Sequence, residues 1–151
     1  FSKMGQYEPC GIFTTGHFIL IAITVICIAI ALKYSVRKSK EEVYKIIRNA
    51  TIVICILEAI KIIYSIQQNS WKAVDTYLPL YYCSILIYAG LLSSFGKGKL
   101  KRAGDVCLAT GSIIGGIVFI LYPSTSLPRY PAFHILSIYS FLFHGTMVYL
   151  G

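Results

Sequence analysis

The sequence predicts an all-α, polytopic transmembrane helix bundle. Hydrophobic residues make up 56% of the 151 residues and charged residues only 13%, against roughly 25% charged residues in soluble domains. Apolar runs close to the length of about 20 residues that crosses a bilayer recur along the whole chain. The length suits one unit, so we treat residues 1–151 as a single transmembrane domain.

Five stretches are long and apolar enough to be membrane spans. We number them spans 1 to 5 in chain order, and they cover residues 11–32, 49–67, 77–95, 103–122 and 131–151. The chain does not begin with Met, and its last apolar run continues to the final residue. We therefore expect this chain to be a piece of a longer protein.

The basic residues predict an orientation in the cell membrane. Six of the 14 Lys and Arg residues lie in 33–48 and four more in 97–102, both between apolar runs. By the positive-inside rule these two loops are cytoplasmic, and the N-terminus lies outside. We interpret the basic clusters as topology signals and contacts to lipid headgroups, so membrane lipids are the expected partners and nucleic acid is not. The oligomeric state is not predicted.

No cofactor or metal is expected. The five cysteines include no CxxC motif and are odd in number, which argues against a zinc site and a disulfide framework. In span 4, Gly111 and Gly115 form a GxxxG motif, and Ser112 with Gly116 repeats the spacing of small residues. This pattern favours close contact between helices. The loop 122–131 contains three prolines and is either a plain turn or a cover over the outer mouth of a cavity.

Polar residues in the apolar spans are the candidate substrate-binding groups. We count depth below the outer end of each span at about 1.5 Å per residue. His17 and Lys61 are then both about 9 Å deep, and Glu58 is about 13 Å deep. Tyr81 and Cys83 are about 6–9 Å deep. Glu58 and Lys61 are spaced i, i+3 and can pair. They form either an ion pair that sets helix register or one wall of a polar cavity in the outer half of the bundle. His17 is either a hydrogen-bonded interfacial histidine or a second wall of that cavity.

His144 and Cys83 are the candidate catalytic residues. His144 lies in the apolar run "FLFHGTMVYL", where a histidine needs a partner or acts as a base, proton carrier or ligand. Cys83 is a nucleophile if a histidine activates it, and otherwise an inert core thiol. The two differ in depth by about 11 Å at 1.5 Å per residue, which argues against a simple pair unless span 5 begins later than residue 131.

The motifs "FTTGHF", "RNATIVICILEAIKIIY", "WKAVDTYLPLYYCSI" and "FLFHG" together resemble the YwaF-like bacterial integral membrane proteins. These are related to the animal transmembrane protein 164 acyltransferases. The resemblance implies six or seven spans in the full protein, of which this chain has the first five. It matches Glu58 and Lys61 to a polar feature of span 2, and His144 to a deep histidine of span 5.

One departure bears on the mechanism. The family commonly has Pro-Leu-His-Leu-Cys at the start of span 3, where this chain has "PLYYC" with Tyr81 in place of the histidine. In the animal acyltransferases the nucleophilic cysteine follows the proline, a position that Leu80 holds here. The resemblance implies acyl transfer on membrane lipids, with His144 as base, Cys83 as a possible nucleophile, and Lys61 or Tyr81 holding a phosphate or carbonyl oxygen. The alternatives are a membrane transport or ligand-binding subunit, and a structural membrane protein.

Overall fold

A computed structural model describes residues 5–68 and 82–151 and confirms the all-α prediction. Within these ranges the chain forms five helices and no strand. The helices are α1 (Thr15–Ser35), α2 (Lys40–Gln68), α3 (Ile85–Phe95), α4 (Gly98–Leu121) and α5 (Ile135–Leu150). A 3-10 turn, Tyr82–Ser84, precedes α3, and one π turn, Leu108–Ser112, lies within α4.

The apolar surfaces of the helices fit a lipid environment. Helices α1 and α4 are long and apolar enough to cross a membrane, with mean hydropathies of 2.5 and 1.9, while α3 and α5 are shorter apolar helices. On α1, Ile26 and Ile30 leave 58% and 64% of their surface uncovered. Lipid tails can cover such side chains, and helices satisfy their own backbone hydrogen bonds there. The number of spans stays a prediction.

Helix α2 begins at Lys40, nine residues before the predicted span, because a capping box starts it there. The Ser39 amide donates to a Glu42 carboxylate oxygen at 2.9 Å, and the Glu42 amide donates to Ser39 Oγ at 3.4 Å. This reciprocal pair satisfies two amides that a helix start leaves open. The Ser39 amide and the Lys38 ammonium, 3.1 Å away, together lower the pKa of Glu42 to about 2.

Helix α5 begins four residues later than the predicted span. Pro131 to His134 form a turn, and His134 Nδ1 then caps the helix by accepting from the Leu136 amide at 3.2 Å. The Ser137 hydroxyl donates back to the Pro131 carbonyl at 2.9 Å. This later start places His144 about 14 Å along the helix at 1.5 Å per residue, instead of about 20 Å.

Helix α5 is central in the bundle, because α1, α2 and α4 all contact it, and α3 packs between α2 and α4. Two apolar clusters form the core. Cluster one, between α2, α3, α4 and α5, contains Ile54, Leu86, Ile87, Ala89, Leu108, Phe143 and Met147. Cluster two, between α1, α4, α5 and the proline loop, contains Leu20, Phe119, Ile120, Leu127 and Phe141.

The small residues of span 4 make the close helix contacts that the sequence predicts. A Cβ on Gly116 would lie 2.7 Å from the His144 carbonyl oxygen, and one on Gly115 would lie 3.1 Å from Met147 Cε. Ser112 is also buried, at 2% exposure. Gly111 is different, since its added Cβ would only meet the Tyr82 hydroxyl at 3.6 Å. The α4–α5 contact therefore depends mainly on the second half of the motif.

A polar cluster ties α2, α3 and α4 together at the end of the bundle near the basic loops. Asp105 accepts hydrogen bonds from the Ser93 hydroxyl at 2.6 Å and the Tyr44 hydroxyl at 3.0 Å, and the second of these raises the pKa of Tyr44. Lys101 Nζ donates to the Ser93 carbonyl at 2.7 Å and lies 3.4 Å from the centre of the Tyr44 ring. These contacts fix three helix ends in one arrangement.

The proline loop packs onto the opposite end of the bundle. Leu127 is fully buried in cluster two, and Pro123 is also buried. The segment before α1 joins it, since the Gly11 amide donates to the Leu127 carbonyl at 2.9 Å and the Cys10 amide to the Tyr130 carbonyl at 3.1 Å. The loop is therefore packed onto this end of the bundle, and its role as a cover over the mouth of a cavity stays a prediction.

Candidate functional site

His144 is a buried histidine with one ring nitrogen left open. Its side chain lies on α5 and is only 6% exposed. Nδ1 lies 2.7 Å from the Ser140 carbonyl oxygen, and because a carbonyl only accepts, Nδ1 carries the proton. Nε2 has no hydrogen-bond partner among the described residues. In the neutral form of the ring, Nε2 therefore presents a free lone pair inside the protein.

The ring of His144 is held by an aromatic neighbour. It stacks on Phe119 of α4, with ring centres 3.5 Å apart and planes 6° apart, and Phe143 packs against it edge-on at 5.3 Å. Buried polar atoms without a partner are uncommon and call for an explanation. A fixed imidazole with an open lone pair can accept a proton from a hydroxyl, a thiol or water. No cluster of metal-ligating side chains occurs in residues 5–68 and 82–151.

His17 lies at the start of α1, with both ring nitrogens already in use. Nε2 donates to the Ile120 carbonyl at 2.9 Å, and Nδ1 accepts from the Phe13 amide at 3.1 Å. The side chain is fully buried. Phe13 has a φ of 60°, an uncommon value for a residue with a side chain, and this conformation accompanies the contact between its amide and the ring. His17 thus joins α1 to α4.

The motif "FTTGHF" has a local explanation around His17. Thr14 caps α1 by accepting from the His17 amide at 3.4 Å. A Cβ on Gly16 would lie 2.8 Å from Cys10 Sγ and 3.0 Å from Ala132 Cβ, so only glycine allows this approach to the proline loop. These contacts give the motif a structural role, and the role of His17 in binding a substrate stays a prediction.

His17 and His144 lie at opposite ends of one series of aromatic contacts. The His17 ring packs edge-on against Phe141 at 5.9 Å, Phe141 packs edge-on against Phe119 at 6.0 Å, and Phe119 stacks on His144. Ile120, whose carbonyl His17 holds, directly follows Phe119. A series of ring contacts therefore joins the two histidines, and the residue that His17 bonds directly follows the ring that covers His144.

Glu58 and Lys61 form the predicted ion pair, at 2.5 Å between Lys61 Nζ and Glu58 Oε1. Glu58 is 6% exposed, and its second oxygen accepts a hydrogen bond from the Tyr139 hydroxyl of α5. Tyr139 was not among the predicted site residues, although a tyrosine five residues before His144 in an apolar span is a visible signal. The carboxylate has a partner on both oxygens and links α2 to α5.

Cys83 lies in the 3-10 turn before α3 and is half-buried against cluster one, as is Cys107. Its thiol makes no hydrogen bond to His144, since Nδ1 of that ring is used by Ser140 and Nε2 has no partner among the described residues. Tyr81 and Leu80 lie outside the described residues. The hydrogen bonds of Glu58 and of His144 share no residue, and a cavity common to His17, Glu58, Tyr81 and His144 stays a prediction.

The fold and site define an all-helical membrane protein with a buried histidine, His144, on the central helix of its bundle. The chain belongs to the TMEM164 family, whose model matches residues 12–151. This confirms the relationship that the sequence motifs suggested, while the narrower likeness to YwaF-like bacterial proteins stays a prediction. Searches of curated proteins and of solved structures gave no match.

Proposed function

We propose that this protein transfers acyl chains between membrane lipids, with His144 as the general base. The observation that carries the proposal is the buried Nε2 of His144, which has a lone pair and no partner among the described residues. Ser140 fixes the tautomer, and Phe119 fixes the ring plane. General bases are held in this way, by a hydrogen bond on the other ring nitrogen.

The chemistry is an exchange of one ester for another. His144 Nε2 takes the proton from an attacking hydroxyl or thiol, whose oxygen or sulfur forms a bond to the acyl carbonyl carbon of a phospholipid. The C–O bond to the glycerol oxygen breaks, and the protonated His144 returns the proton to that leaving oxygen. In a two-step route the attacking group is the Cys83 thiol, which forms a thioester. A second lipid hydroxyl then loses its proton to His144 and attacks the thioester carbonyl carbon, the C–S bond breaks, and His144 returns the proton to the Cys83 sulfur. In a one-step route the second lipid hydroxyl attacks directly.

Lys61 is the proposed contact for a lipid phosphate. Its ammonium has three donors, one of which goes to Glu58, and its side chain is 26% exposed. The pairing with Glu58 orients the ammonium without using all of its donors. Glu58 and Tyr81 are the other proposed binding residues. His17 has both ring nitrogens bonded to backbone, so in this proposal it is a wall of the binding cavity.

The test is a lipid analysis of host membranes that express the full-length protein. Wild type is compared with His144→Ala and Cys83→Ala at equal abundance. Cys107→Ala is the matched control, because both cysteines are half-buried against the same cluster. We expect wild type and Cys107→Ala to change the acyl chains of host phospholipids and His144→Ala to leave them unchanged. Loss in Cys83→Ala supports the two-step route, and activity in that variant supports the one-step route.

The contradicting result is that wild type and all variants match the empty host. The second candidate function is then solute or proton binding by a transport subunit, which the buried Glu58–Lys61–Tyr139 group favours. An acidic side chain deep in a membrane helix commonly marks a pathway for ions or protons. Glu58→Gln should alter such binding or flux, while leaving lipid composition unchanged.

A further inference from the structure

A groove runs between α1 and α5 on the outside of the bundle, away from the hydrogen-bonded groups described above. Its volume is about 290 Å³, and its walls come from both helices. Leu20 and Ala31 mark its extent along α1, which is about 16 Å at 1.5 Å per residue. This length is close to half of the roughly 30 Å hydrocarbon core of a bilayer, which is the depth of one leaflet.

The walls of the groove suit an acyl chain. The lining hydroxyls of Thr24 and Thr146 both donate to carbonyls of their own helices, at 2.8 Å each. The remaining lining is mainly aliphatic and aromatic, from residues such as Ile28 and Phe141. A polar ligand would find few partners here, whereas a hydrocarbon chain needs none.

Two hydroxyl groups bridge the helices at one end of the groove. Ser35 donates to the Ala31 carbonyl at 2.9 Å, so it accepts from the Tyr149 hydroxyl, 2.5 Å away. Ser35 is the last residue of α1, so this end lies next to the basic segment that follows the helix. A chain in the groove therefore places its polar headgroup beside that segment.

The basic residues that flank Ser35 in the chain are available for a headgroup. Lys33 and Arg37 are exposed, and neither forms an ion pair among the described residues. Lys38 is different, because it pairs with Glu42 at 3.1 Å. We propose that the groove binds one acyl chain of an anionic phospholipid whose phosphate lies against Lys33 and Arg37. Basic residues at a membrane surface attract anionic lipids. This site is separate from His144 and does not depend on acyl transfer.

Native mass spectrometry of the full-length protein, purified in mild detergent, tests the proposal. The probes are dioleoyl phosphatidylglycerol, which is anionic, and dioleoyl phosphatidylcholine, which is zwitterionic. Ala31→Phe fills the groove, and Ile30→Phe is its matched control, since Ile30 is the neighbouring residue and is 64% exposed outside the groove. Lys33→Gln with Arg37→Gln removes the two charges.

We expect wild type and Ile30→Phe to retain one phosphatidylglycerol, and Ala31→Phe to bind it at least tenfold more weakly. Each basic residue near the surface contributes about 1 kcal/mol to the binding of an anionic lipid. The variant with both Lys33→Gln and Arg37→Gln should therefore lose a preference for phosphatidylglycerol over phosphatidylcholine of roughly thirtyfold. Equal retention by Ala31→Phe and Ile30→Phe would overturn the proposal. So would equal binding of both lipids by wild type, or dimers in place of bound lipid. The assay needs no turnover, so a failed lipid-exchange test leaves its outcome unaffected.

Discussion

Gly116→Ala and Gly111→Ala should change stability in different directions, although both positions lie in the "GSIIGG" segment of α4. A Cβ on Gly116 would lie 2.6 Å from Val148 Cγ2 and 2.7 Å from the His144 carbonyl oxygen. The second neighbour is backbone, so α4 and α5 have to separate. A Cβ on Gly111 would lie 3.6 Å from the Tyr82 hydroxyl, which is an ordinary contact.

The difference between the two variants isolates the helix contact. Replacing glycine by alanine within a helix is favourable by about 1 kcal/mol, and this gain is common to both. Overpacking a close contact costs about 1–3 kcal/mol and applies to Gly116 alone. We therefore expect Gly111→Ala to be neutral or stabilising, and the free energy of unfolding of Gly116→Ala to be about 1–3 kcal/mol lower than that of Gly111→Ala.

Reversible unfolding of the full-length protein by sodium dodecyl sulfate, followed by circular dichroism, measures these free energies. Gly116→Ala also moves the backbone of His144, so the lipid-exchange activity of this variant should fall more than its stability alone explains. Equal free energies of unfolding for the two alanine variants would refute the close contact between α4 and α5.

Three further predictions follow from the other polar contacts. Lys61→Met should lower the free energy of unfolding by about 2 kcal/mol, because it leaves the buried Glu58 carboxylate with one partner. The double variant Glu58→Gln with Lys61→Met should recover most of this loss. Equal free energies of unfolding for the single and double variants would contradict the pairing. His17→Ala should lower the free energy of unfolding by about 2–4 kcal/mol, since it leaves a backbone carbonyl and a backbone amide without their partner. A free energy equal to that of wild type would show that the ring does not join the helices. Hydrogen bonds from the Ser39 amide and the Lys38 side chain lower the pKa of Glu42 from 4.5 to about 2, so its contribution is present above pH 4.5 and is lost as the pH falls towards 2. Glu42→Gln keeps a capping side chain that does not titrate. The thermal midpoint of wild type should therefore fall towards that of the variant as the pH is lowered from 4.5 towards 2. Thermal midpoints of the two proteins that change in parallel with pH would contradict the capping box.

Helix starts show where reasoning from sequence was limited. The predicted spans were drawn from apolar residues. These residues mark the part of a helix that suits lipid, and they do not mark where the helix begins or ends. α2 starts nine residues before its apolar run because Ser39 and Glu42 cap it in a polar segment. α5 starts four residues inside its run because the turn from Pro131 ends at the His134 cap. Counted from the start of α5, His144 is therefore about 6 Å nearer to the helix start than a count from the apolar limit gave, at 1.5 Å per residue.

The candidate site was predictable in part. His144 and the Glu58–Lys61 pair were visible as polar residues in apolar runs, because burying them in lipid is costly unless they have a partner or a function. Tyr139 was missed because the sequence does not show that α5 brings its hydroxyl to Glu58. His17 was predicted either as a hydrogen-bonded histidine or as a wall of a cavity, and the structure shows both of its ring nitrogens bonded to backbone.

The sequence by itself determined the class of the protein, its family and the residues that need an explanation in lipid. Composition, apolar run length and local spacing carry that information. Each of them can be judged for one segment at a time, by how well that segment transfers into the membrane. The tertiary structure alone decided which of these residues have partners. Glu58 is satisfied by α5, His17 by α4, and Nε2 of His144 by no described residue. Those contacts join residues as many as 103 positions apart, and only the packing of whole helices brings such residues together.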